Sequence, residues 1–194
     1  MCYRSRMARL MAFEWVSLDG VFDADPAHFS RWFLPFHSEA RAGCIRDTIE
    51  GADALLLGRR TYEMLARFWS AQTDDSQGPA RALNALPKYV ASTTLRDAKW
   101  RNTEGILRHD VHREVAHLKD SVNGTIILIG SATLLAGLLS ERLVDAVRLL
   151  VHPCVMGEGR RWTSENTPVT HLQLVESARL DRGVLQLDYQ LPAS

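Results

Sequence analysis

The sequence predicts an α/β fold: a central sheet with helices on both faces, closed by antiparallel strands. Three observations carry that expectation. Short apolar runs alternate with amphipathic segments along most of the chain. Two of those runs, "LLLG" and "IILIG", pass through a glycine straight into a helical pattern. Residues 172–191 form two β-rich runs around Asp181-Arg182-Gly183, as a hairpin would.

Taken in order, "RLMAFEWVSLDG" (9–20) is strand-like and stops at the turn signal Asp19-Gly20. Beyond Pro35, a helical spacing sets Ala40, Cys44, Ile45, Thr48 and Ile49 on one face. "ADALLLG" (52–58) is too short for a buried helix and reads as a central strand. It leads into "RTYEMLARFW" (60–69), a helix with Tyr62, Leu65, Ala66 and Trp69 on one side. The polar "SAQTDDSQGP" (70–79) reads as a long loop, followed by a short helix. In "PKYVAST" (87–93) Pro87 opens a strand, where its missing N–H is tolerated. "VHREVAHLKDS" (111–121) is an amphipathic helix, and "GTIILIG" (124–130) is a buried strand feeding the helix "SATLLAGLLSER" (131–142). "LVDAVRLLVHPCV" (143–155) is the last strand before the hairpin. Residues 9–192 therefore read as one domain, with residues 1–8 as an N-terminal extension.

Lys+Arg and Asp+Glu both total 23, so no global charge draws the chain to nucleic acid or to an anionic membrane. No apolar run approaches the roughly 20 residues that span a bilayer. The first residues are basic but lack the long apolar segment of a secretory leader. Cys2, Cys44 and Cys154 form no CxxC pair, so neither a disulfide framework nor a thiolate zinc site is indicated. The expected setting is the cytoplasm, with free thiols.

Chemistry concentrates at the two strand-to-helix junctions. Gly58 and Gly130 allow close backbone approach, while Thr61, Ser131 and Thr133 can cap helices or donate hydrogen bonds. Exposed first-turn amides attract anions, and Arg59 and Arg60 add charge suited to phosphate. Two such junctions in one sheet favour a ligand with several phosphates. Neither matches the dinucleotide fingerprint Gly-x-Gly-x-x-Gly or the Walker pattern. Ser92, Thr93 and Thr94 end another strand, where ligands of α/β sheets collect. His37-Ser38-Glu39 with Pro153-Cys154 suggests a zinc deaminase signature, but Gly157 stands where its second thiolate belongs, so no metal is expected.

The order of these motifs resembles the dihydrofolate reductase-like fold, in the branch related to the reductase domain of the riboflavin-pathway deaminase-reductase. "VSLDGVF", "DALLLGRRTYEML", "PKYVAST" and "IILIGSATLLAGLLSERLVDAVRLLVHPCVMGEGRRW" carry the resemblance, which spans about Arg9 to Leu191. It implies a mixed, mainly parallel central sheet with a C-terminal antiparallel hairpin, and a homodimer. It also implies an NADPH-dependent reductase passing a hydride to a small heterocyclic or imine-like substrate, of the 5-amino-6-(5-phosphoribosylamino)uracil reductase type. Carried over by residue, Gly58, Arg59, Arg60 and Thr61 form one phosphate-side helix start. Arg59 then meets the adenosine 2′-phosphate, with Thr93 or Thr94, and Ser92 belongs to the same strand end. Gly130, Ser131, Ala132 and Thr133 lie under the pyrophosphate. Trp15, Val16 and the loop from Ser17 to Phe22 wall the nicotinamide, and Asp19 is the candidate catalytic residue near the substrate. Trp32, Phe33 and Phe36 line the facing helix of the cleft.

Two departures stand out. "FSRWFLPF" offers aromatics and Arg31 where dihydrofolate reductase carries an acid, which argues against folate. Gly130-Ser131 replaces the family's glycine pair. A pterin reductase, or a binding module that kept the fold without the chemistry, are the alternative readings.

Overall fold

The computed structural model describes residues 7–22, 25–72, 79–163 and 167–192. The expected loop at 70–79 lies mostly outside the described residues, as do residues 1–6 of the extension. The strands are β1 (Arg9–Ser17), β2 (Ala54–Gly58), β3 (Lys88–Ala91), β4 (Thr103–Leu107), β5 (Thr125–Ile129), β6 (Ala146–His152), β7 (Gln173–Arg179) and β8 (Leu185–Gln190). The helices are α1 (Pro26–Trp32), α2 (Glu39–Glu50), α3 (Arg59–Trp69), α4 (Ala80–Ala85), α5 (Val111–Ser121) and α6 (Ala132–Ser140).

One eight-stranded sheet runs in the order β4-β3-β2-β5-β1-β6-β8-β7. Pairings from β4 across to β6 are parallel, and β8 joins β6 and β7 antiparallel. The central runs are buried on both sides, which is why they read as continuous hydrophobics rather than alternating ones. On one face Leu10, Leu56, Ile126 and Leu128 pack with α5 and α6 through Val115, Leu135 and Leu138. On the other, Phe13, Leu55, Leu57 and Ile129 pack with Ile49 of α2, Tyr62 and Leu65 of α3, and Leu83 of α4.

Strand β4 departs from the sequence reading, which assigned nothing there. "TEGIL" combines Glu104 and Gly105, weak strand formers, and pairs only with β3 at the sheet edge. Helix α2 also departs: its buried face starts at Arg41, 2% exposed, while Ala40 is exposed. A guanidinium takes the position expected of an apolar side chain, for reasons that lie in the cavity below. Among the described residues, no helix is long and apolar enough to cross a membrane.

Two pairings position the site. β1 pairs with β5 only as far as Phe13↔Ile129, yet continues beside β6 to Ser17↔His152. The carboxyl end of β1 is therefore unpaired on its β5 side, leaving an opening in the sheet at Glu14.

Candidate active site

The glycine junctions come together at the carboxyl ends of adjacent strands β2 and β5. A Cβ on Gly58 would lie 2.7 Å from Ser131 Cβ, and one on Gly130 would lie 2.5 Å from Thr61 Oγ1. Each helix start thus uses a glycine to admit the hydroxyl residue of the other. Gly130 and Ser131 both have positive φ, 69° and 65°. For Ser131 that geometry costs about 1–2 kcal/mol. Its Oγ offsets part of the strain by capping α6 at Leu134 N, 3.4 Å away. Ala132 is buried in the first turn and Thr133 is exposed.

Arg59 and Arg60 are exposed beside this pair of helix starts. Arg59 makes a 3.4 Å ion pair with Glu63 one turn on. An exposed pair of that kind contributes about 0–1 kcal/mol, so an incoming anion can displace it. On the neighbouring strand end, Ser92 Oγ accepts from Thr94 N and Leu95 N at 3.2 and 2.9 Å, shaping the turn, while Thr93 and Thr94 are exposed.

Asp19 faces away from this pair. Its carboxylate accepts from Ser17 Oγ at 2.7 Å, Met156 N at 3.0 Å and Gly157 N at 2.9 Å, and its carbonyl accepts from Arg161. These bonds hold its pKa well below the usual carboxylate range, the Met156 N–H contributing most. Asp19 is thus an ionised clamp between the 18–22 turn and the 154–161 segment. Ser17 belongs to the same clamp, its Oγ accepting from Val21 N at 2.9 Å.

Between β1, α2, α3 and the aromatic turn after α1 lies a cavity of about 240 Å³. Trp15, Phe22, Trp32 and Phe33 line it, and Thr61 and Gly130 reach its wall from the helix starts. Phe36 stands off the cavity and packs on the His152 ring, 5.9 Å between centroids. Val16 is buried behind it, its carbonyl 3.1 Å from His152 Nδ1.

Three polar side chains in and behind this wall escaped the sequence reading. Glu14, 1% exposed, accepts from Gly130 N at 3.0 and 3.2 Å. Burial pushes its pKa well above the ordinary value of 4.5, against the pull of that hydrogen bond, and so favours the protonated carboxyl. Arg41 lies over the Phe33 ring at 4.0 Å and donates NH1 to Phe33 O at 2.7 Å and to His152 Nε2 at 3.1 Å. Since arginine can only donate, His152 Nε2 accepts and Nδ1 carries the ring proton toward Val16 O or Leu150 O. Burial pushes His152 down to about 4, so it is neutral. A signal for Glu14 existed: a lone carboxylate at the centre of an otherwise apolar strand is expensive unless its site uses it.

The sheet order, with parallel strands across most of its width and an antiparallel hairpin at one edge, is that of the dihydrofolate reductase-like fold. The chain matches the RibD C-terminal domain family over residues 8–186 and belongs to that family. A sequence relative, "Uncharacterized protein YyaP" of Bacillus subtilis, is 27% identical over 145 residues, covering 74% of this chain and 76% of its own. Among solved structures, a putative riboflavin biosynthesis protein from Shewanella sp. PV-4 superposes with a TM-score of 0.71 at 18% identity, over 95% of this chain and 99% of the other. Dihydrofolate reductase from Enterococcus faecalis, complexed with NADP(H), superposes with a TM-score of 0.65 at 14% identity, over 95% and 97%.

Proposed function

We propose that the protein is an NADPH-dependent reductase acting on a small heterocyclic or imine-like substrate held in the aromatic cavity. The observation that carries this reading is the Gly130 N–H···Glu14 hydrogen bond, which joins the paired helix starts to the cavity. On one side of that bond lie backbone amides, hydroxyls and arginines of the kind that receive phosphates. On the other lies an aromatic-lined pocket with the Glu14 carboxyl group in its wall.

The residues present fit NADPH. Gly58–Thr61 and Gly130–Thr133 would receive the pyrophosphate side, and Arg59 with Thr93 or Thr94 the adenosine 2′-phosphate. The opening at the unpaired end of β1 leads on into the cavity. When bound, NADPH supplies a hydride. Trp15, Phe22, Trp32 and Phe33 orient a flat acceptor and exclude water, which favours that transfer. Burial favours the protonated form of the Glu14 carboxyl, which is placed to deliver a proton to the substrate heteroatom that gains electron density. Asp19, ionised and engaged by the Ser17 hydroxyl and the Met156 and Gly157 amides, positions the 17–22 loop rather than donating a proton. Membership of the RibD C-terminal domain family and the NADP(H) complex of a fold neighbour support this reading without fixing the substrate.

The test is a titration of the purified chain with NADPH and with NADH, followed by thermal shift. Stabilisation by NADPH, greater than by NADH, is expected. No stabilisation by either cofactor would overturn the proposal.

A further inference from the structure

Arg41 and Trp15 present a feature that the reductase reading does not use. Arg41 is 2% exposed, yet no carboxylate pairs with it among the described residues. Its NH1 is committed to Phe33 O and His152, and its NH2 lies 3.5 Å from His37 Nδ1. The Nε–H is buried without an acceptor, and so is the Nε1–H of Trp15. Both side chains line the same cavity. Buried donors are nearly always satisfied in folded proteins, so two unsatisfied ones in one wall mark where a ligand accepts.

The charge narrows the ligand. A desolvated guanidinium with no counter-ion favours an anionic acceptor over a neutral one. Burial raises the pKa of Glu14 in the same wall, which lessens the repulsion an ionised carboxylate there would exert on an anion. Most of the remaining wall is aromatic or aliphatic, with Phe22, Phe29, Trp32 and Ile45, and suits a flat ring, while His37 and Thr61 add polar groups at its edge. A phosphate is a poor match. Its three terminal oxygens need more donors than the free Nε–H and Nε1–H, and most of the surplus would be desolvated against the aromatic and aliphatic wall.

We propose that the cavity holds a planar ring through a single anionic oxygen group, a carboxylate or a ring oxyanion, received by Arg41 Nε–H and Trp15 Nε1–H, and that it does not hold a phosphate. The inference rests on reading this cavity as the substrate site, and it separates that substrate from a phosphoribosylated pyrimidine anchored by its phosphate.

The experiment titrates the full chain, without cofactor, with benzoate, barbiturate, phenyl phosphate and toluene, read by Trp fluorescence and calorimetry. The better of benzoate and barbiturate should bind at least about tenfold tighter than toluene and than phenyl phosphate, the range in which a site built around donors discriminates. Which of the two wins distinguishes carboxylate from ring oxyanion. Arg41→Met should abolish the preference. Because Arg41 also holds Phe33 and His152, Trp15→Phe provides a second arm. It keeps an aromatic ring, removes only the donor, and should weaken the anion about three- to tenfold while leaving toluene unchanged. Phenyl phosphate or toluene binding as tightly as both anions, an unaltered anion affinity in Trp15→Phe, or no binding by any of the four would overturn the proposal. Ring-anion binding without stabilisation by NADPH or NADH would leave it standing and count against the reductase reading. NADPH binding without ring-anion binding would do the reverse.

Discussion

Gly58 and Ser131 meet so closely that a Cβ on the glycine would lie 2.7 Å from the Cβ of the serine. This contact locks the two helix starts of the site to each other and predicts a strong energetic coupling. Gly58 has φ −76°, which alanine adopts freely, so Gly58→Ala alone would gain about 0.4–1 kcal/mol from the unfolded chain. The clash with Ser131 should reverse that gain, for a net loss of about 1–2 kcal/mol, the range seen for overpacked sites. In a Ser131→Gly background the obstructing atoms are gone, and Gly58→Ala should become neutral or stabilising. A double-mutant cycle by urea denaturation should therefore return a coupling of about 1 kcal/mol or more. Additive effects would show that the helix starts are not in contact.

Glu14 should separate chemistry from cofactor binding. Glu14→Gln keeps an oxygen for Gly130 N–H but has no acidic proton to give. NADPH affinity is expected to be unchanged, while kcat/KM falls about 10²- to 10⁴-fold, the usual contribution of a positioned acid. Stability offers an independent readout. A carboxyl whose folded pKa is raised stabilises fully below its ordinary value of 4.5 and loses that contribution as pH rises toward the folded value. Thermal melts should show the wild type losing stability above pH 4.5, a loss missing in Glu14→Gln.

Much of this site was legible in the sequence because its backbone geometry leaves marks. A glycine at the end of an apolar run, followed by a hydroxyl residue, signals a strand feeding a helix, and both such junctions lie at adjacent strand ends. What stayed hidden depends on partners distant along the chain. Glu14 needs Gly130, and Arg41 needs His152, 111 residues away, to make sense of their burial. Arg41 even displaced the expected apolar face of α2, since a cation reads as solvent-facing until a cavity is known. Strand β4 escaped because sheet pairing, rather than the propensity of "TEGIL", decides its conformation. Asp19 lies in the turn that the Asp19-Gly20 pair signals. Its three hydrogen bonds from the loop, to Ser17, Met156 and Gly157, could only be seen once that loop had a place.

Arg59 should set cofactor preference. Among the described residues its only ion pair is the exposed one with Glu63, so removing the side chain costs little stability. If its guanidinium meets the 2′-phosphate, Arg59→Ala should weaken NADPH about ten- to hundredfold and leave NADH nearly unchanged, since charge-assisted hydrogen bonds contribute about 1.5–3 kcal/mol. Parallel titrations with both cofactors read this directly. An intact NADPH preference would move the assignment to Arg60.

Asp19→Asn should loosen the clamp between the 18–22 turn and the 154–161 segment rather than block proton transfer. The amide can keep one acceptor oxygen but not the full set of bonds from Ser17 Oγ, Met156 N and Gly157 N. Hydrogen exchange at the Met156 and Gly157 amides should accelerate, KM should rise, and the pH dependence of kcat should keep its shape. A changed kcat profile with unaltered amide protection would return Asp19 to the role of proton donor.

His152 makes the molecule acid-sensitive in a defined window. Its folded pKa is pushed down to about 4 from 6.5, first by burial and then by the Arg41 guanidinium, with the Val16 carbonyl acting against burial. The unfolded chain therefore binds more protons than the folded one between those values, and stability falls as pH drops from 6.5 toward 4. A difference of this size corresponds to about 2–3 kcal/mol. Protonating Nε2 would also turn the acceptor for Arg41 into a second cation within 3.1 Å, breaking the contact that seats α2 on the sheet. Melting curves from pH 7 to 4 should show a falling Tm for the wild type. His152→Gln, which offers an acceptor but cannot take up the proton, should be less stable at pH 7 because its shape fits the Trp32–Phe33–Phe36 ring cage poorly. Its Tm should nevertheless vary much less across that window. Equal slopes for the two proteins would place the acid sensitivity elsewhere in the chain.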